Sequence, residues 1–99
     1  MMKEEKDTKD RLMRVERTIN IYFKGSNELL SEINIDSIPF YELITIVVPQ
    51  KDDPLLYDGY ILNEQQLSKL FKHLNIKTIH NCILYDYILV CGGIYDWSK

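Results

Sequence analysis

The side chains of this sequence that could do chemistry are two histidines, two cysteines and a scatter of aspartates. His73, His80, Cys82 and Cys91 include the right atoms for zinc, which takes tetrahedral sets of imidazole nitrogen and thiolate sulfur. Their spacing matches no tight ligand pattern and there is no paired Cys-x-x-Cys, so no metal site is expected. Asp52, Asp53 and Asp58 suggest oxygen ligands for calcium, but the alternating ligands and terminal Glu of an EF-hand loop are missing. Cys82 lies two residues from His80. A working thiolate–imidazole pair needs a geometry that adjacency in sequence does not supply, and a buried structural thiol is the simpler role. Asp58 with Asp86 is one conceivable carboxylate pair for acid–base work, although charges in a loop are more often solvated. No G-x-S-x-G, P-loop or G-x-G-x-x-G occurs. The expectation is a protein that is not an enzyme, with no cofactor and no metal.

A different pattern recurs. Asp58 lies between Tyr57 and Tyr60, Asp86 between Tyr85 and Tyr87, and Asp96 between Tyr95 and Trp97. Tyrosine and tryptophan supply large, stiff contact area with a polar tip, and interfaces favour them as anchors. Carboxylates beside them steer a basic partner and fix its register. Some of these rings must cover a small core instead. Tyr85 and Tyr87 are the candidates for that, because alternate strand residues share a face and pack under a helix. The residues expected to bind a partner are therefore Asp52, Asp53, Tyr57, Asp58, Asp96 and Trp97.

These residues need elements to hold them. From Val15 the apolar period is two: Val15, Ile19, Ile21 and Phe23 share a face, and Arg17 interrupts it. Gly25-Ser26-Asn27 is turn chemistry, and Leu29, Ile33 and Ile35 alternate beyond it, so the two runs read as an antiparallel hairpin. Asp36-Ser37 before Pro39 is a helix start. That helix is expected over about Ile38 to Val48, burying Ile38, Tyr41, Ile44 and Val48, although the β-branched run 44–48 favours strand. A polar loop follows, then a short strand over residues 59–62. Asn63 caps the clearest helix, with Gln66 placed for a capping box. Leu67, Leu70, Phe71 and Leu74 are its buried stripe, and Asn75 is a left-handed stop. Cys82 to Cys91 reads as one interior strand ended by Gly92-Gly93. Cysteines nine apart on it face opposite sides and cannot easily bond. The fold class is α+β: a mostly antiparallel sheet of three to five strands with two helices packed on it.

Ninety-nine residues make one domain with a modest core. Residues 1–13 are nearly all polar up to Leu12, with opposite charges four apart. They read as a flexible or frayed-helical arm before a single domain over 14–99. The apolar runs are too short to span a bilayer, and the charged N-terminus lacks the apolar segment of a secretory signal. With unpaired cysteines as well, a cytoplasmic protein with no membrane partner is expected. Net charge is −3, made of +1 over residues 1–17 and −4 over the remainder. Nucleic acid needs clustered Lys and Arg to displace counterions, so no nucleic-acid partner is expected. A partner with a basic face suits the charge better.

The order of hairpin, helix, "DDPLLYDGYIL", "NEQQLSKLF" helix and "YDYIL" resembles a family of small bacterial domains of unknown function. Members recur beside polymorphic and contact-dependent toxins as their presumed immunity proteins. The matching features are Asp53-Pro54, Tyr57-Asp58, Tyr60, Gln66-Leu67 and Tyr85-Asp86-Tyr87, within a similarity running from about Arg14 to Cys91. The resemblance implies that the chain binds and silences a cognate protein toxin made by the same cell. It implies too that the Asp-Pro loop is a rigid connector in which Asp58 ties down a turn. A nuclease with a basic cleft would complement an acidic inhibitor. The alternative is a small regulatory or adaptor subunit without a toxin partner, for instance a homodimer through the hairpin edge.

Overall fold

A computed structural model describes residues 12–95. Four strands form one antiparallel sheet, and two helices join them in an α+β arrangement. The strands are β1 (Leu12–Phe23), β2 (Leu29–Asn34), β3 (Tyr60–Ile61) and β4 (Tyr85–Tyr95), in the order β2-β1-β4-β3. The helices are α1 (Phe40–Ile46) and α2 (Glu64–His73).

β1 and β4 are the backbone of the sheet, with Ile19 opposite Leu89, Ile21 opposite Tyr87 and Arg17 opposite Cys91. Side chains alternate across a strand, so these residues share the face on which the helices lie. Ile19 and Leu89 are fully buried there, in one core with Leu43 and Val47 around α1 and Leu67 and Leu70 of α2. Tyr87 is 5 % exposed, and its hydroxyl accepts from the Asn81 N–H at 3.0 Å. Tyr85 stacks on Phe23 with ring centroids 5.4 Å apart. Both tyrosines pack inward, as strand alternation requires.

The hairpin forms at Gly25, whose φ of +80° is a conformation glycine adopts without penalty. The Ser26 N–H donates to the Phe23 carbonyl, and the Ser26 hydroxyl accepts from the Glu28 N–H, closing the turn. α2 begins as its residues dictate. The Asn63 side chain accepts from the Gln66 N–H at 2.8 Å, and the Gln66 side chain accepts from the Asn63 N–H at 2.9 Å. It stops before Asn75, which is left-handed at φ 57°.

Four expectations change. β1 begins at Leu12, three residues before Val15, where the alternation was expected to start; residues 1–11 lie outside the described ones. α1 is shorter than expected and buries a partly different set of side chains. Pro39 is its N-cap with no side-chain cap, and Val47 is already extended at φ −114°. Ile38 and Ile44 lie inward as expected, together with Phe40, Leu43 and Val47, whereas Tyr41 and Val48 are 71 % and 73 % exposed. The β-branched run gives up the helix where Val47 can pack better extended. β4 starts at Tyr85 rather than Cys82, because the Asn81 carboxamide accepts from the Ile83 and Leu84 N–H groups and curls the chain first. Cys82 is therefore not on the strand. β4 also runs through Gly92 and Gly93, which pair with Glu16 and Val15.

Candidate functional site

The loop between α1 and β3 is built around one carboxylate. Pro49 and Pro54 restrict its backbone. The Asp53 N–H donates to the Gln50 carbonyl at 2.9 Å, and the Leu56 N–H donates to the Asp53 carbonyl at 3.1 Å. The Asp53 side chain is 6 % exposed. Its Oδ1 accepts from the Tyr57 N–H at 2.8 Å, and its Oδ2 accepts from the Asp58 N–H at 3.0 Å and the Tyr60 hydroxyl at 2.6 Å. The Tyr60 hydroxyl in turn accepts from the Gln50 N–H at 3.1 Å, so one side chain of β3 holds the loop at both Gln50 and Asp53. Leu56 follows at φ 56°, left-handed and costly for a side chain with a Cβ, yet it is fully buried. The loop turns Leu56 into the core and leaves Leu55 and Tyr57 outside, 46 % and 54 % exposed.

Arg17 closes the arrangement from β1. Its Nη2 donates to the Leu55 carbonyl at 2.6 Å. The guanidinium lies 4.9 Å from the Phe40 ring centroid, a cation–π distance. Its own backbone N–H donates to Asp36 at 3.0 Å. A cation on the inner face of a strand thus ties β1, α1 and the loop together.

The electrostatics follow. The Tyr60 hydroxyl bond holds the Asp53 carboxyl below its ordinary range against the opposing effect of burial; the Asp58 and Tyr57 N–H groups and the Arg17 charge pull the same way. Burial, then the Asp53 bond, pushes the Tyr60 phenol up. Asp53 is a carboxylate at neutral pH with every donor near it committed, the opposite of a general acid.

The expected site residues divide three ways. Asp52, Tyr57 and Asp58 stand exposed on this one loop. Asp53 lies beneath them, its carboxylate directed into the loop. Asp96 and Trp97 lie outside the described residues. The resemblance gave the turn-fixing role to Asp58, but Asp53 holds the turn and Asp58 contributes its backbone N–H. Asp86 does not form a pair with Asp58: Lys24 lies 3.0 Å from it, and that bond holds its carboxyl down. Cys82 and Cys91 are both free, with burial the largest cause raising each thiol. His80 packs edge-on to Phe71 at 5.7 Å. Among the described residues no group of three His, Cys, Asp or Glu side chains is placed to hold a metal ion. No described helix is long and apolar enough to cross a membrane. Tyr60 and Arg17 shape this loop and are absent from the expected set. The signal of Arg17 was its position, a charge in the middle of an apolar strand face.

A family model for a domain of unknown function, DUF7683, matches residues 16–90. The chain belongs to that family. No curated protein and no solved structure matches it. The match of the DUF7683 domain begins one residue before Arg17 and ends within β4. It therefore takes in the whole Arg17–Asp53–Tyr60 network and the loop that network shapes.

Proposed function

We propose that this DUF7683 domain is an immunity protein, which binds a cognate bacterial toxin and silences it by covering the active site or an essential surface beside it. One observation carries the reading: the loop locked by Asp53 carries Asp52, a half-exposed Tyr57 and Asp58, all three exposed to solvent. A loop already held in one shape loses little further entropy on binding. A stiff aromatic beside acids matches the basic cleft of an enzyme that cuts nucleic acid. Asp52, Tyr57 and Asp58 would make the contact, Asp53 would position them, and Asp96 and Trp97 remain candidates by their sequence pattern. The test is co-expression with the toxin encoded beside its gene. Cells should survive with this protein and die without it. Death at the same rate in both, or a gene neighbourhood with no toxin-like reading frame, would reject the assignment.

A second reading, an adaptor that pairs with itself, draws on the hairpin edge. β2 ends the sheet, and Leu29 and Leu30 on it are 43 % and 41 % exposed. An open edge of this kind can template pairing with another strand. A concentration-dependent dimer in sedimentation, abolished by proline in β2, would favour it.

A further inference from the structure

Charge in this acidic chain is not evenly spread. From Gln65 to Tyr85 there is no Asp or Glu, while Lys69, Lys72 and Lys77 occur with His73 and His80. α2 buries Leu67, Leu70 and Phe71 and turns Ser68, Lys69 and Lys72 outward. None of the ion pairs among the described residues engages these three lysines; only His73 meets a carboxylate, Glu42 at 3.2 Å. Lysine and histidine in a last helical turn complement the helix dipole, which accounts for Lys72 and His73. It does not account for Lys77, nor for what lies next to it.

Bare aliphatic side chains stand on the loop that follows, and Ile79 among them shares a groove with Lys72. Ile79 is 90 % exposed, Ile83 83 % and Leu84 55 %. The end of their loop is held firmly. Asn81 donates its N–H to the Tyr87 hydroxyl, its side chain accepts from the Ile83 and Leu84 N–H groups, and its carbonyl accepts from the Tyr85 N–H. Two grooves flank α2 and meet at Lys72. One, of about 560 Å³, runs past Thr45, Ile46, Lys69 and His73. The other, of about 330 Å³, runs past Phe71, Ile76, Ile79 and His80.

We propose that this face docks an acidic peptide segment of a protein partner. Carboxylates of the segment meet Lys69, Lys72 and Lys77, and its apolar side chains enter the grooves against Ile46 and Ile79. Charge complementarity selects an acidic occupant. The paired grooves select a chain with side chains over a bilayer, which offers nothing to fill them. Three lysines without an arginine are too few to hold a phosphate backbone firmly. The surface is separate from the acidic loop, and the inference stands whether or not that loop binds a toxin.

The experiment pans the full chain against a phage-displayed library of short random peptides and measures enriched peptides by fluorescence anisotropy. Enriched sequences should combine Asp or Glu with Leu, Ile or Phe. The K69E/K72E/K77E variant should bind them at least roughly tenfold more weakly, I79S should also weaken them, and D52A/D58A should bind as wild type. Circular dichroism of each variant checks that it is folded. The inference is overturned if nothing is enriched, if enriched peptides lack carboxylates, or if charge reversal leaves binding unchanged. It is equally overturned if the face binds phosphatidylserine-containing vesicles over phosphatidylcholine ones in place of peptides, or drives self-association that charge reversal abolishes.

Discussion

Leu56 tests the loop at its most strained point. Its φ of 56° is a left-handed conformation that costs a residue with a Cβ about 1–2 kcal/mol. Its side chain is fully buried, which returns about 1.5–3 kcal/mol. Burial is of the size needed to offset the strain, and the two can be separated by substitution. Leu56→Ala removes the packing and keeps the strain, so it should destabilise by about 2–5 kcal/mol. Leu56→Gly empties the same space but releases the strain. Glycine then gives back about 0.5–1 kcal/mol through its freer unfolded chain, so it should end roughly 0.5–1 kcal/mol more stable than alanine. That order reverses the usual one for helices and strands. Urea unfolding reads it directly: with a slope of about 1–3 kcal/mol per molar, the glycine midpoint should lie a few tenths of a molar above alanine. An alanine variant as stable as glycine would refute the left-handed argument. A glycine variant as stable as wild type would refute the burial argument.

Other consequences follow from the same network. Asp53 has a folded pKa below its ordinary 3.8, so its contribution is complete above that value and is lost as pH falls through the depressed one. Asp53→Asn should lower the urea midpoint at neutral pH and flatten its fall below pH 3.8, leaving the share due to Asp86, whose pKa is lowered too; an acid limb as steep as wild type would count against the network. Tyr60→Phe removes the largest cause of the Asp53 shift, and carbon-detected NMR titration should find that carboxyl moved upward, whereas an unmoved value would assign the shift elsewhere. Asn63→Ala breaks the capping box of α2 and should cost about 1 kcal/mol in urea unfolding; no loss would mean the cap is idle.

Local chemistry was legible and long-range packing was not. The Gly25 turn, the Asn63–Gln66 box and the Asn75 stop depend on neighbours within a few residues, and the chain adopts all three. The face of α1 depends on what the helix meets. Of the expected stripe, Ile38 and Ile44 reach the core and Tyr41 and Val48 do not; Phe40, Leu43 and Val47 take their places, and only packing chooses among them. Asn81 defeats an apolar run by bonding its own next turn, a competition that composition does not show. The same division holds at the site. Asp52, Tyr57 and Asp58 could be read as exposed because a Pro-punctuated polar loop is nearly always on the surface. Asp53 differs from Asp52 through the Tyr57 and Asp58 N–H groups, the Tyr60 hydroxyl and, least of these, the Arg17 charge, and Arg17 lies thirty-six residues earlier in the chain. Its intrusion into the apolar face of β1 was the one visible sign of that partnership.

The proposed function, a preformed acidic and aromatic loop presented to a protein, is tested most directly by calorimetric titration against the purified product of a toxin-like gene beside its own. A one-to-one complex should form with wild type, and truncating Tyr57 to alanine should weaken it by about 2 kcal/mol or more while the urea midpoint stays put. Absence of a complex, or a Tyr57→Ala variant that binds as tightly as wild type, would contradict the account.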